Sequence, residues 1–400
     1  MGIHSCYLQP ALQGLAILVV VFALSCGCMA PAGWLHPDPV SGPDKAPGEV
    51  PAANGTVVPA GTPLVPVTLP EPATPAGEEI PKEPATPRTF SFLSGSGSYT
   101  ITVPVRDPRP PGTAGVDDDC PMARWRPGNE GEVSAYYQDR IFSGGEEELY
   151  TALTRELSRI RRMEGLNDDE YLELVTNFIQ QIPYDPKAPL CPRSPSSVIR
   201  DGKGDCDEKS GLLLGLLSRE GYDVALLLFP DEHHATAGIR ITSPTTPSFR
   251  VFGPRSRTYV YVETTRPSLI GLYGDDFATA TPVVVPVGNG TIRYRAINDV
   301  MYVIGVQKRM EDRMTFLWES REETLQEISL LEGRLTRGYY DSAEEDSDAY
   351  ARYSRLIADY NRMGEDFTDI QDVYQFLRNH QYDRAGCRGR IENSKVELLL

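Results

Sequence analysis

Cys206 follows the turn Gly202-Lys203-Gly204-Asp205 and opens a Leu-rich run in which Leu212, Leu213, Leu216 and Leu217 recur at helical spacing. The glycines make a tight turn. Cys206 is thereby placed at a helix N-terminus, where free N–H groups and the positive end of the helix dipole favour a thiolate and can receive an oxyanion. The flanking Asp205, Asp207 and Glu208 act in the opposite sense and raise the thiol pKa. A nucleophilic cysteine needs a base, and the base needs an orienting acceptor. His233 and His234 offer the base, and Glu263 offers the acceptor. Side chains alternate along a strand, so only one of the two histidines can face Cys206. Gln181, with Gln180 beside it, is the candidate amide donor to an oxyanion.

The elements that must hold these groups follow from periodicity. Residues 89–105 read as strand, with Tyr99, Ile101, Val103 and Val105 alternating with polar or proline positions. Residues 106–142 show no clear period, and Asp117-Asp118-Asp119 lacks the spacing of a calcium loop. A helix from Glu146 carries Leu149, Leu153, Leu157 and Ile160 on one face, and a second opens at Asn167, with Glu170 completing a capping box. Pro183 ends it, and a Pro-rich loop leads to the Cys206 helix, which Gly221 closes. Strands are expected over 222–229, 235–241 and 259–265, with a turn at 244–248. Beyond residue 296, stripes at 325–335, 350–360 and 370–377, broken by the acidic stretch 341–348, predict two or three helices in a hairpin or small bundle. Their apolar faces would pack on the cysteine-bearing part or on a second copy. His380 reads as a surface residue at a helix end, and Cys387 has no evident role.

Gly204-Asp205-Cys206-Asp207, the Leu-rich helix, Gly221-Tyr222-Asp223-Val224, His234 before a strand, and a strand ending Glu263-Thr264-Thr265 resemble the transglutaminase-like superfamily, especially its secreted archaeal members. The resemblance covers residues 145–275. It implies an α+β, papain-like core in which the cysteine-bearing helix packs on an antiparallel sheet. It also implies that Cys206 is the nucleophile, His234 the general base and acid, and Glu263 the orienting carboxylate. The chain departs from the family pattern in carrying Glu263 where Asp is usual, and Tyr259 and Tyr261 where Trp is common. The implied activity is cleavage of a peptide or side-chain amide through a thioester, with hydrolysis favoured over cross-linking and a protein or peptide as substrate. No metal or organic cofactor is implied. The superfamily also holds members that only bind or scaffold, and that is the alternative.

Four hundred residues with net charge -17 and pI about 4.8 disfavour nucleic acid and anionic membrane surfaces as main partners. The apolar run Leu15 to Leu24, ending Ser25-Cys26-Gly27-Cys28, reads as a signal segment with lipid attached at Cys26 or Cys28, or else as an uncleaved anchor helix. Both place the remainder at the cell surface, tethered to the membrane. Fifteen of the 34 prolines fall between Pro31 and Pro87, the composition of an extended stalk. Asn54 and Asn289 begin glycosylation sequons. With Cys206 free, Cys120, Cys191 and Cys387 allow at most one disulfide, and Cys120–Cys191 is the first choice. The expected organisation is a targeting segment (1–28), a stalk (29–88), a β-containing lead-in (89–144), the cysteine domain (145–292), and a helical region (293–400), through which the chain could self-associate.

Overall fold

The structure is a computed structural model that describes residues 85–106, 126, 128–142, 144–186, 191–242, 250–254, 257–274 and 277–400. Cys26, Cys28, Asn54, the stalk before residue 85, the run Asp117–Asp119, Cys120 and the turn at 244–248 lie outside the described residues. All described residues belong to one compact unit, Glu78–Leu400. It is α+β, with antiparallel sheets and a helical C-terminal part.

Strands β1 (Thr86–Ser94) and β2 (Gly97–Val105) form an antiparallel hairpin around a two-residue turn. Alternation buries Ile101, Val103 and Val105, and β1 starts three residues inside the expected stalk. Helix α1 (Glu130–Phe142) occupies a stretch with no evident period. Its buried side is only Val133, Tyr137 and Ile141, a stripe one residue wide. Helix α2 (Glu147–Glu164) buries the expected Leu149, Leu153, Leu157 and Ile160. Helix α3 (Asp168–Gln180) begins with the predicted capping box, the Asn167 side chain accepting from Glu170 N–H at 3.1 Å and Glu170 accepting from Asn167 N–H at 2.9 Å. A short helix α4 (Pro195–Asp201) precedes the longer α5 (Cys206–Arg219).

The main sheet runs β5-β4-β3-β6, antiparallel throughout, with β3 Val224–Phe229, β4 His234–Arg240, β5 Tyr259–Val262 and β6 Val283–Val287. Every residue of β3 is buried. Helix α5 packs against β3 and β4. A second apolar cluster gathers Leu227, Phe229, Phe252, Tyr261 and Ala280, with Phe277 against it. Strand β6 has no counterpart in the sequence expectations. It contains Pro286, which cannot donate to a ladder and is tolerated because β6 is an edge.

Helices α6 (Ile297–Arg337) and α7 (Ala343–Asn379) form a long hairpin, followed by α8 (Arg384–Glu392) and α9 (Val396–Leu399). The acidic stretch is a helix start rather than a break. Ser342 caps Glu345 N–H, and Glu344, Glu345 and Asp346 sit at the positive end of the dipole. The two stripes that follow are one continuous helix. Val303, Met310, Leu317, Val373, Leu377, Cys387 and Val396 join the same core as α2–α5, while Leu331, Ala349 and Tyr353 are buried farther out along the hairpin. His380 is half-buried and caps α7, and Cys387 is fully buried with its thiol 3.3 Å from the His380 carbonyl. Asn289 is exposed in the loop after β6. Cys191 is disulfide-bonded to a partner outside the described residues; Cys206 and Cys387 are free thiols. Among the described residues no helix is long and apolar enough to cross a membrane.

Candidate functional site

The turn before Cys206 is built by short-range bonds. Gly204 N–H donates to the Pro183 carbonyl at 3.1 Å, and Asp185 N–H donates to the Gly204 carbonyl at 3.0 Å. A capping box then starts α5. The Asp205 side chain accepts Glu208 N–H at 3.1 Å, and Glu208 accepts Asp205 N–H at 3.1 Å. The fully buried Glu208 side chain is clamped by Arg193, Nε at 2.6 Å and an Nη at 2.8 Å. Such a bidentate, charge-assisted pair fixes orientation as well as contributing energy. Arg193 also reaches Asp185 and Asp201. The residue that opens α5 is thus held from both sides.

Cys206 is half-buried. Burial, then the charges of Asp207 and Asp205, push its thiol up to about 12, against the opposing N–H bonds of Ala235 and Asp207. The Ser210 hydroxyl, 2.6 Å from the Cys206 carbonyl and 3.4 Å from the Ala235 carbonyl, holds the first residues of β4 against the start of α5. His234 is the residue before Ala235. His233 sits in the turn with a left-handed φ of 52°, exposed, its Nδ1 2.9 Å from the Pro230 carbonyl. Of the two histidines, only His234 is turned into the sheet.

His234 makes no hydrogen bond to Cys206 among the described residues. Its Nε2 lies 3.0 Å from the Tyr261 hydroxyl, and that hydroxyl donates to Glu263 Oε2 at 3.1 Å. The order Cys206, His234, Glu263 expected from sequence therefore gains a member, with Tyr261 between imidazole and carboxylate. Tyr261 has one proton, and it goes to the carboxylate, so its oxygen accepts from Nε2–H. This fixes the neutral tautomer and leaves the Nδ1 lone pair as the basic position. Phe277, with ring centroid 4.8 Å from the imidazole, and Phe229 at 6.3 Å wall the ring in. Burial lowers the His234 pKa, against the pull of Glu263 and Glu232.

No family model, curated protein or solved structure matches this chain. The site is therefore read from its own geometry.

Glu263 follows the last residue of β5. Burial would raise its pKa, but Thr265 hydroxyl and amide bonds at 2.6 and 2.7 Å, the nearby His234 and the Tyr261 hydroxyl outweigh it and hold Glu263 below the ordinary value. It is an ionised carboxylate at neutral pH. Ser210 and Thr264 hydroxyls, 3.0 Å apart, tie α5 to the segment after β5, and Ser210 also donates to the Cys206 carbonyl at 2.6 Å.

Gln181 does not serve the oxyanion. Its amide is spent on β1, accepting from Leu93 N–H at 2.9 Å and donating to the Leu93 carbonyl at 2.7 Å and the Asn177 carbonyl at 3.0 Å. Both amide hydrogens are used. Gln180 is likewise committed, donating to the Glu263 and Ser268 carbonyls at 2.9 Å each. Its role is to fix the loop that carries Glu263. The groups left at the thiol for an oxyanion are backbone amides at the start of α5.

Three participants escaped the sequence reading. Tyr261 was legible in principle, since Tyr261 and Glu263 are two residues apart on a strand and share a face. Lys209 lies three residues after Cys206 and is completely buried, its Nζ donating to the carbonyls of Gln180 and Ile182 at 3.2 and 2.6 Å. Burial depresses its pKa to about 8, with Glu263 acting against that. Tyr137, on the unexpected helix α1, donates to Asp207 Oδ2 at 3.0 Å.

Proposed function

We propose that the chain is an extracytoplasmic, transglutaminase-like cysteine enzyme acting on peptide or side-chain amide bonds, with hydrolysis favoured over cross-linking. One observation carries this reading. The Ser210 hydroxyl joins the Cys206 carbonyl, at 2.6 Å, to the Ala235 carbonyl, at 3.4 Å, while the adjacent His234 is oriented through Tyr261 by the ionised Glu263. That arrangement places a nucleophile at a helix N-terminus beside a base whose second nitrogen is anchored. The packing of α5 on an antiparallel sheet supports the papain-like core.

In this reading Nδ1 of His234 takes the thiol proton as Cys206 Sγ bonds to the carbonyl carbon. The developing oxyanion is received by N–H groups at the start of α5. The C–N bond then breaks, the amine leaves with the proton held by His234, and a thioester remains. Water, giving up a proton to His234, attacks the thioester and restores the thiol. The resemblance of residues 1–28 to a lipid-attachment signal supports a membrane-tethered location.

The second reading is a catalytically silent surface protein that binds or scaffolds. It is favoured by the thiol pushed up to about 12 and by the lack of a direct Cys206–His234 hydrogen bond. Iodoacetamide labelling of Cys206 against pH, in the full chain and in His234→Ala, separates the two. A labelling midpoint below the ordinary thiol value of about 8.5 that rises in the variant supports the enzyme. A high midpoint indifferent to His234 supports the binding protein.

A further inference from the structure

Asp205 and Asp207 stand on either side of Cys206 at the start of α5, and their carboxyl groups are near enough to interact. Asp207 Oδ2 accepts from Tyr137, whereas its Oδ1 is buried with no hydrogen-bond donor. Asp205 Oδ1 accepts Glu208 N–H. Among the described residues no ion pair reaches either carboxyl. Arg193, the cation whose charge Asp205 feels, is already engaged by Glu208, Asp185 and Asp201. The other charged or titratable groups around the pair are Tyr137 from α1, Tyr184 and Asp185 from the segment after α3, and Glu208 on α5 itself. Strand β4 approaches them at Ala235, whose carbonyl lies 3.4 Å from the Ser210 hydroxyl of α5.

Two ionised carboxylates this close, half-buried and with no ion-pair partner among the described residues, repel. One proton between them removes a charge and supplies the donor that Asp207 Oδ1 lacks. We propose that Asp205 and Asp207 hold a single proton in common, and that the remaining charge of this pair disfavours the Cys206 thiolate, a brake built into the turn that presents the nucleophile. Burial raises the pKa of both carboxyls, most strongly that of Asp207, in keeping with such a pair. The inference concerns the ionisation of the thiol, so it stands or falls independently of whether Cys206 turns over a substrate.

A shared proton has a distinctive signature. The pair carries one negative charge, and replacing either member by asparagine leaves one, whereas replacing both leaves none. Asparagine caps a helix as well as aspartate does, so α5 keeps its start. The test is the iodoacetamide labelling rate of the Cys206 peptide, read by mass spectrometry on the full chain. The proteins compared are wild type, Asp205→Asn, Asp207→Asn and the double variant. The expected result near pH 7 is little change in either single variant and an increase of about tenfold in the double, the effect of lowering the thiol pKa by one unit. Single-variant accelerations that multiply in the double would mean two independently ionised carboxylates and overturn the proposal, as would a double variant that labels like wild type. Infrared spectroscopy gives a second readout, on the wild-type protein first. A protonated-carboxyl stretch is expected there at neutral pH, and the part of it that the pair contributes should be lost in either single variant. Its absence from the wild type would end the idea.

Discussion

The Tyr261 hydroxyl lies 3.0 Å from Nε2 of His234 and donates its hydrogen bond to Glu263. The carboxylate therefore influences the imidazole through an intervening oxygen. Tyr261→Phe keeps the ring, and with it the contacts to Phe229 and Phe277, but leaves Nε2–H without its acceptor. Burial already lowers the His234 pKa and Glu263 opposes this. Loss of the link is expected to lower it further, and Glu263→Gln lowers it too. Histidine titration by NMR checks this. An unchanged His234 pKa in both variants would show that the relay carries no electrostatic coupling. Stability should fall by about 1–3 kcal/mol in Tyr261→Phe, the cost of an unmet buried donor.

Arg193→Met is expected to damage the start of α5. It removes both bonds to a glutamate whose side chain is fully buried, leaving that charge uncompensated. Breaking one partner of a buried pair costs about 3–5 kcal/mol. Urea unfolding of wild type, Arg193→Met and the double change Arg193→Met/Glu208→Gln measures it. The double variant should recover much of the loss, because the orphaned charge goes with it.

Lys209 gives the fold a pH dependence of predictable sign. Its folded pKa of about 8 lies below the unfolded value of about 10.4. As pH falls, the unfolded chain binds this proton first, so the stability contribution is fully present above the unfolded value and is lost as pH drops through the folded one. Relative to Lys209→Met, the wild type should gain about 3 kcal/mol between pH 8 and pH 10.5. Unfolding curves of the two proteins at those pH values test this, and a constant difference between them would contradict it.

Tyr150 is fully buried, and its hydroxyl has no hydrogen-bond partner among the described residues. Its ring packs over Gly215 of α5, where an added Cβ would fall 2.1 Å from the hydroxyl oxygen, and beneath Arg219, 3.9 Å from the ring centroid. Tyr150→Phe keeps the ring and removes an unsatisfied polar atom, so it should be neutral or raise stability by about 1 kcal/mol. Gly215→Ala in the wild-type background should cost about 1–3 kcal/mol. Thermal unfolding distinguishes these directions.

The sequence read best where side chains repeat. The capping box at Asn167, the stripe of α2, the Cys206 helix and the strands on either side of His234 were all visible as local patterns. Helix α1 was not, because one buried residue per turn leaves no stripe for a periodicity argument to find. Strand β6 was hidden by Pro286, and the first turn of α7 was mistaken for a break because acidic residues mark both loops and helix starts. The candidate site was legible as residue types but not as connections. The chain order of Cys206, His234 and Glu263 does not reveal that Tyr261 stands between the last two. Nor does it reveal that Gln181 is occupied by a strand some 88 positions away. The His234–Tyr261 and Leu93–Gln181 bonds are long-range contacts, set by how elements pack rather than by any local spacing.

Arg384, on the short helix after the hairpin, bonds Glu173 of α3 across 211 residues of chain and Asp299 of α6 across 85. Cys387, Ile391 and Val396 enter the same core as the elements that present Cys206. During synthesis, then, the part that bears the thiol emerges long before the segment that finishes its interior. Until residues 384–396 arrive, Glu173 lacks its cation, and an apolar face of the core stays open to water and to chaperones.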